Sequence, residues 1–85
     1  MLLSRLMATK TTETFEELLR SCGVETHGDE RYLASHCGVS LRTLYNIRYG
    51  LRNPFRATRA QISKGLRVPL ARVDAAIAAT LALSE

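Results

Sequence analysis

At 85 residues and 9.5 kDa the chain has room for one small core and none for a deep cleft between domains, so no cofactor-sized cavity is expected. A hydrophobic fraction of 46% beside a charged fraction of 24% is the balance of a folded protein rather than of a disordered tail. The net charge of +4 is unevenly laid out. From Met1 to Glu30, Arg5, Lys10 and Arg20 meet six acidic residues, whereas Arg31 to Val73 carries Arg31, Arg42, Arg48, Arg52, Arg56, Arg59, Lys64, Arg67 and Arg72 with no acidic residue at all. Such a field repels itself unless a polyanion meets it; the alternative is a solvated basic face kept for solubility.

Residues 1–12 read as a loose arm ending in Lys10, Thr11 and Thr12. Leu2, Leu3, Leu6 and Met7 are too few, and too interrupted by Ser4 and Arg5, for a secretory core, and no run is long enough to span a bilayer. A cytoplasmic chain with Cys22 and Cys37 reduced is the expectation, with Met7 an alternative start. The first helix is expected to open at Thr14, which with Glu17 makes an S/T-x-x-E capping box. Phe15, Leu18, Leu19 and Cys22 then form a core face, Gly23 ends the helix, and Val24 to Gly28 connects.

Asp29 is the expected N-cap of a second helix, Glu30 to about Cys37, with Leu33, Ala34 and Cys37 inward. Gly38 supplies the positive φ of a sharp turn, and Ser40 can accept the backbone N–H of Thr43 to cap a third helix, Leu41 to about Tyr49. On that helix Leu44, Ile47 and Leu51 make an apolar stripe, while Arg42, Tyr45, Asn46 and Tyr49 point the other way. Gly50 stops it, Leu51 to Phe55 is extended, and Pro54 holds Asn53 out of helical φ/ψ. A fourth helix, about Arg56 to Leu66, turns Ile62 and Leu66 inward, with Gly65 a weak point. Pro69 opens a fifth helix to about Leu83 with the stripe Leu70, Val73, Ile77 and Leu81. Ala75, Ala78, Ala79, Ala82 and Leu83 leave it a second apolar surface, which either pairs with another subunit or merely favours helix.

The series Leu33-Ala34, Gly38-Val39-Ser40, Thr43-Leu44-Tyr45, Ile47, Gly50, Arg52, Pro54, Thr58, Ile62, Leu66 and Val68-Pro69 resembles the Cro/cI-type (XRE-like) helix-turn-helix family of phage repressors and bacterial regulators. The resemblance covers about residues 29 to 73. It implies an all-α, compact five-helix, lambda-repressor-like DNA-binding domain over residues 13–83, usually a homodimer, that binds double-stranded operator DNA through its second and third helices. The chain departs from the pattern in three places. The link at Val24 to Gly28 is longer than usual, Arg59 stands where an apolar residue is common, and Arg48 stands where an acid is common. With the sign reversed, Glu16 or Glu17 is the expected partner of Arg48, unless Arg48 reaches a phosphate instead.

Carried over by position, the resemblance places base contacts at Leu41, Arg42 and Asn46. Arg42 can fork onto guanine O6 and N7, and Asn46 onto adenine N6 and N7. Leu41 either touches a thymine methyl or packs against the second helix. Backbone contacts fall to Arg31, Ser40, Thr43, Tyr45, Tyr49, Arg52, Asn53 and Thr58, helped by the amides that open the second helix near Glu30 and Arg31. Val73, Ile77, Ala78 and Leu81 are the expected dimer surface on helix 69–83. The function implied is a transcriptional regulator, of repressor type from a phage or mobile element, acting where it occupies DNA in the nucleoid.

Other readings compete with this one. Cys22, His27, His36 and Cys37 have zinc-ligand chemistry, but the adjacent His36 and Cys37 diverge by about 100° on a helix, so neither a metal nor any other cofactor is expected. A Cys22–Cys37 redox disulfide is equally disfavoured. An antitoxin-like module, which binds a protein partner and regulates itself through the same fold, is the alternative function. No paired carboxylates, nucleophile-base spacing or Gly-rich phosphate loop speaks for an enzyme.

Overall fold

A computed structural model describes residues 13–84, so the expected arm at residues 1–12 and the choice between Met1 and Met7 lie outside the described residues. Five helices follow one another: α1 (Phe15–Ser21), α2 (His27–Cys37), α3 (Leu41–Arg48), α4 (Arg56–Leu66) and α5 (Leu70–Ser84), with no strand among the described residues. The all-α, five-helix expectation holds.

Each of the first three helix starts has a side-chain cause. At α1 the hydroxyl of Thr14 accepts the Glu17 amide at 3.2 Å while the Glu17 carboxylate accepts the Thr14 amide at 2.9 Å. The amide of Phe15, left without a helical acceptor, donates to Thr80 Oγ1 of α5 at 2.8 Å, and Thr80 in turn donates to the Ala76 carbonyl at 2.9 Å. That buried relay pins the first turn of α1 to α5.

The expected start of α2 needs correcting. The helix begins at His27, three residues before the expected Glu30, and its N-cap is Thr26 rather than Asp29. Asp29 is instead the third residue of a second capping box. Its amide donates to Thr26 Oγ1 at 3.1 Å, and its carboxylate accepts the amides of Glu25 and Thr26, each at 3.0 Å. Those N–H bonds, that from Glu25 foremost, hold the Asp29 carboxyl below its ordinary value of 3.8. Gly28, read as loop, lies inside the first turn, so the link between α1 and α2 is shorter than expected.

The turn into α3 follows expectation. Gly38 adopts φ of +76° at the end of α2, the Val39 amide closes back on the Ala34 carbonyl at 3.0 Å, and Ser40 Oγ accepts the Thr43 amide at 3.0 Å. Helix α3 ends at Arg48, and Gly50 at φ of +66° swings the chain away. Leu51 is therefore 62% exposed instead of completing the stripe of Leu44 and Ile47, which are buried.

The core joins Phe15, Leu18 and Leu19 of α1, Leu33, Ala34 and Cys37 of α2, Leu44 and Ile47 of α3, Ile62 of α4, and Val73, Ala76 and Ile77 of α5. Helix α5 packs on α1, α3 and α4, and α2 packs on α3 and α4. Gly65 has a packing reason beyond propensity: a Cβ there would meet Cys37 Sγ at 2.1 Å, so glycine lets α4 approach α2. Burial also pushes the Cys37 thiol above its ordinary pKa.

Two residues of the expected dimer surface are corrected by this packing. Val73 and Ile77 are buried in the core of their own protomer and cannot meet a second chain. Ala78 is exposed and Leu81 half-buried, packed against the core from its edge. Because α5 meets three other helices, its inward face is wider than a single stripe requires.

Candidate nucleic-acid interface

The turn after Gly38 aims α3 so that Leu44 and Ile47 are buried while Arg42 and Tyr45 stand exposed and Thr43 and Asn46 are half-buried. Between α3, the loop after it and the first turn of α4 lies an open hollow lined by Ser40, Arg42, Thr43, Asn46, Arg52, Asn53 and Thr58, floored by Ile47 and Pro54 and edged by Phe55. Seven of the residues expected to contact bases or backbone are thus brought together. No acidic side chain lines the hollow.

Within it, Ser40 and Thr43 share a hydroxyl–hydroxyl hydrogen bond at 2.9 Å, so the cap also orders the rim. Arg42 and Arg52 are both exposed, and neither has a hydrogen-bond or ion-pair partner among the described residues. Helix α4 begins at Arg56 after Phe55, an N-cap that makes no side-chain cap hydrogen bond, unlike those of α1, α2 and α3. The Thr58 and Arg59 amides donate to the Phe55 carbonyl, each at 3.1 Å, which leaves the amides of Arg56 and Ala57 for an outside acceptor at the positive end of the helix dipole.

Leu41 and Tyr45 line a second hollow on the other flank of α3 with His27, Glu30 and Tyr49, and Arg42 and Asn46 border this hollow as well as the first. Leu41 is half-buried and packs against the core, so packing accounts for much of its surface. Tyr45 and Tyr49, 54% and 49% exposed, hold each other with ring centroids 4.7 Å apart. Arg31 is exposed on α2, outside both hollows. The amide of Glu30, expected to be open at a helix start, donates to the Thr26 carbonyl at 3.1 Å and has nothing left to give.

The remaining cations do different work. Arg48 sits with its side chain 19% exposed and donates to Glu30 of α2, with Glu16 of α1 at 3.9 Å and the Tyr49 ring 5.3 Å from its guanidinium carbon. Of its two expected partners Glu16 is in reach and Glu17 is not, because the Glu17 carboxylate is engaged in its capping box. Glu30 is the partner that sequence reasoning misses, since moving the start of α2 to His27 is what turns Glu30 toward α3. Arg72 donates to both oxygens of Glu13 at 2.7 and 3.3 Å, and that carboxylate raises the arginine's pKa further. Arg59 bonds Asn53, the Pro54 carbonyl and Asp74.

Phe55, 84% exposed at the edge of the hollow, is a second residue that sequence reasoning misses. Its signal is an aromatic directly after a proline in an arginine-rich loop. Cys22, His27, His36 and Cys37 do not converge. No three His, Cys, Asp or Glu side chains form a metal-holding group among the described residues, and the His36 ring stacks on Tyr32 at 5.9 Å. No helix among those residues is long and apolar enough to cross a membrane. Comparison with protein-family models, curated proteins and solved structures finds no match to this chain.

Proposed function

We propose that this chain is a sequence-specific, double-stranded DNA-binding transcriptional regulator of repressor type, with α2 and α3 forming a helix-turn-helix and α3 lying in the major groove. One observation carries the reading: unpaired Arg42 and Arg52 share one acid-free hollow with Asn46 and Asn53, on a helix whose opposite side is locked into the core. Guanidinium and carboxamide groups are the two side-chain types that read guanine and adenine edges in pairs of hydrogen bonds. Arg42 and Asn46, four residues apart, share one face of α3 and address neighbouring base pairs. Around them Ser40, Thr43, Arg52, Asn53 and the open amides of Arg56 and Ala57 supply donors suited to phosphate oxygens.

The protein acts as a homodimer in this reading, through the outer face of α5 that Ala75, Ala78 and Ala82 leave small and Leu83 leaves 75% exposed. Two-fold symmetry then sets two α3 helices about 34 Å apart, one turn of duplex, on a palindromic operator. Because arginine contacts release counterions, affinity is expected to fall steeply with salt, with a slope of about −0.9 per neutralised phosphate. Titration of a labelled duplex across a salt series, with sedimentation of the free chain, tests both parts. A salt-insensitive affinity contradicts the DNA reading, and a single-subunit mass at binding concentrations contradicts the dimer.

A further inference from the structure

Arg59 lies on α4 and its guanidinium spans three groups. Nε donates to the Pro54 carbonyl at 3.1 Å, Nη1 to Asp74 Oδ1 of α5 at 3.0 Å, and Nη2 to Asn53 Oδ1. The side chain is 21% exposed, so the bonds sit partly out of water. A planar fork that satisfies three acceptors at once fixes their relative positions in a way a point charge cannot. Two acceptors belong to the loop that edges the hollow, and the third belongs to the helix that anchors the core.

The consequence for Asn53 is chemical as well as positional. A carboxamide has an accepting end and a donating end, and the loop is exposed enough for either to face outward. Taking Oδ1 for Arg59 commits the accepting end inward. No acceptor among the described residues takes the Nδ2 protons, which leaves two donors for an outside anion. The same clasp holds the Pro54 carbonyl just before the uncapped start of α4 and next but one to Arg52.

We propose that Arg59 is a positioning residue for phosphate binding: it touches no DNA itself, and it holds the Arg52–Phe55 loop against α5 with the Asn53 donors turned outward. The inference rests on the DNA-binding reading and assigns that surface a residue from outside its lining.

Four chains test it: wild type, Arg59→Lys, Asn53→Ala and the double variant, titrated against a fluorescein-labelled duplex at fixed salt. Lysine keeps the charge and loses the fork, so the long-range field is unchanged. Arg59→Lys is expected to weaken binding about tenfold. Asn53→Ala is expected to weaken it about fivefold when made in wild type, and to add no further loss when made on top of Arg59→Lys. Equal cost of Asn53→Ala in both backgrounds, or wild-type affinity for Arg59→Lys, overturns the clasp. Asp74→Ala supplies a second test that does not touch the loop. It removes a negative charge, so field effects alone tighten binding, whereas loss of the clasp weakens it; tighter binding by a chain that melts like wild type overturns the proposal. Wild-type protein without salt-dependent affinity would overturn the DNA reading and the clasp together, while intact binding in every variant overturns only the clasp.

Discussion

The junction of α1, α2 and α3 and the hollow between α3 and α4 are both built around arginine, and they use it in opposite ways. At the junction Arg48 is largely covered and tied to Glu30, with Glu16 close by, so its charge is cancelled inside the protein. In the hollow Arg42 and Arg52 are exposed and no carboxylate answers them. A basic stretch of sequence is therefore not a uniform basic surface. Arg48, Arg59 and Arg72 are each matched by an acid from the flanking sequence, Glu30, Asp74 and Glu13, and what remains unanswered includes the two arginines of the hollow.

Arg48→Ala should have the largest effect on stability. It leaves Glu30, 17% exposed, without its counter-charge, and a loss of about 2–3 kcal/mol in urea unfolding is expected from an uncompensated, mostly covered carboxylate. Arg42→Ala and Arg52→Ala should leave stability within about 0.5 kcal/mol, and a large loss from either would erase the distinction between the regions. Their cost falls on binding. Arg42→Ala is expected to lose about 1–3 kcal/mol and relax discrimination at one base position, whereas Arg52→Ala should weaken all duplexes alike and flatten the salt slope by about one.

Arg67 shows a third use of the residue, and a smaller effect. It ends α4 in the left-handed region at φ of 62°, where a side chain is strained and glycine is not. Arg67→Gly is expected to raise stability by up to about 1 kcal/mol by thermal melting, and a loss would mean that its side chain matters more than its backbone. Asp29 gives the smallest effect and a pH signature. Its carboxyl is held below 3.8 by the amides of Glu25 and Thr26, so its stabilisation is full above that value and is lost as pH falls through the lowered one. Asp29→Asn should therefore melt lower than wild type at neutral pH and converge with it in acid. A gap independent of pH would contradict the capping role.

The fold is legible in the sequence where a local rule has its usual residues. Thr14 with Glu17, Gly38, and Ser40 with Thr43 each mark a helix boundary that the structure repeats. Thr26 with Asp29 obeys the same physics, but Asp in place of Glu or Gln, and Gly28 between them, disguise the box as loop. The error carries forward, since a late start for α2 hides Glu30 from Arg48. Leu51 misleads for a related reason: its spacing continues the α3 stripe, yet Gly50 has already ended the helix. Val73 and Ile77 mislead because a helical wheel shows that a face is apolar without showing which neighbours cover it.

In the candidate site, the exposed polar face of α3 follows from periodicity, and the structure sets Ser40, Arg42, Thr43, Asn46, Arg52, Asn53 and Thr58 around one hollow. The role of Arg59 is beyond reach of that reasoning. The clasp depends on α5 returning Asp74 to α4 from 15 residues away, a tertiary event that local periodicity does not contain.

Base readout by α3 stands or falls on selection of bound sites from random duplex DNA by the wild-type chain and by Arg42→Ala. Wild type is expected to enrich a palindrome whose half-sites lie about one helical turn apart, with one symmetric pair of positions losing its preference in the variant. No enrichment by wild type, or the same enriched sequence from Arg42→Ala, contradicts it.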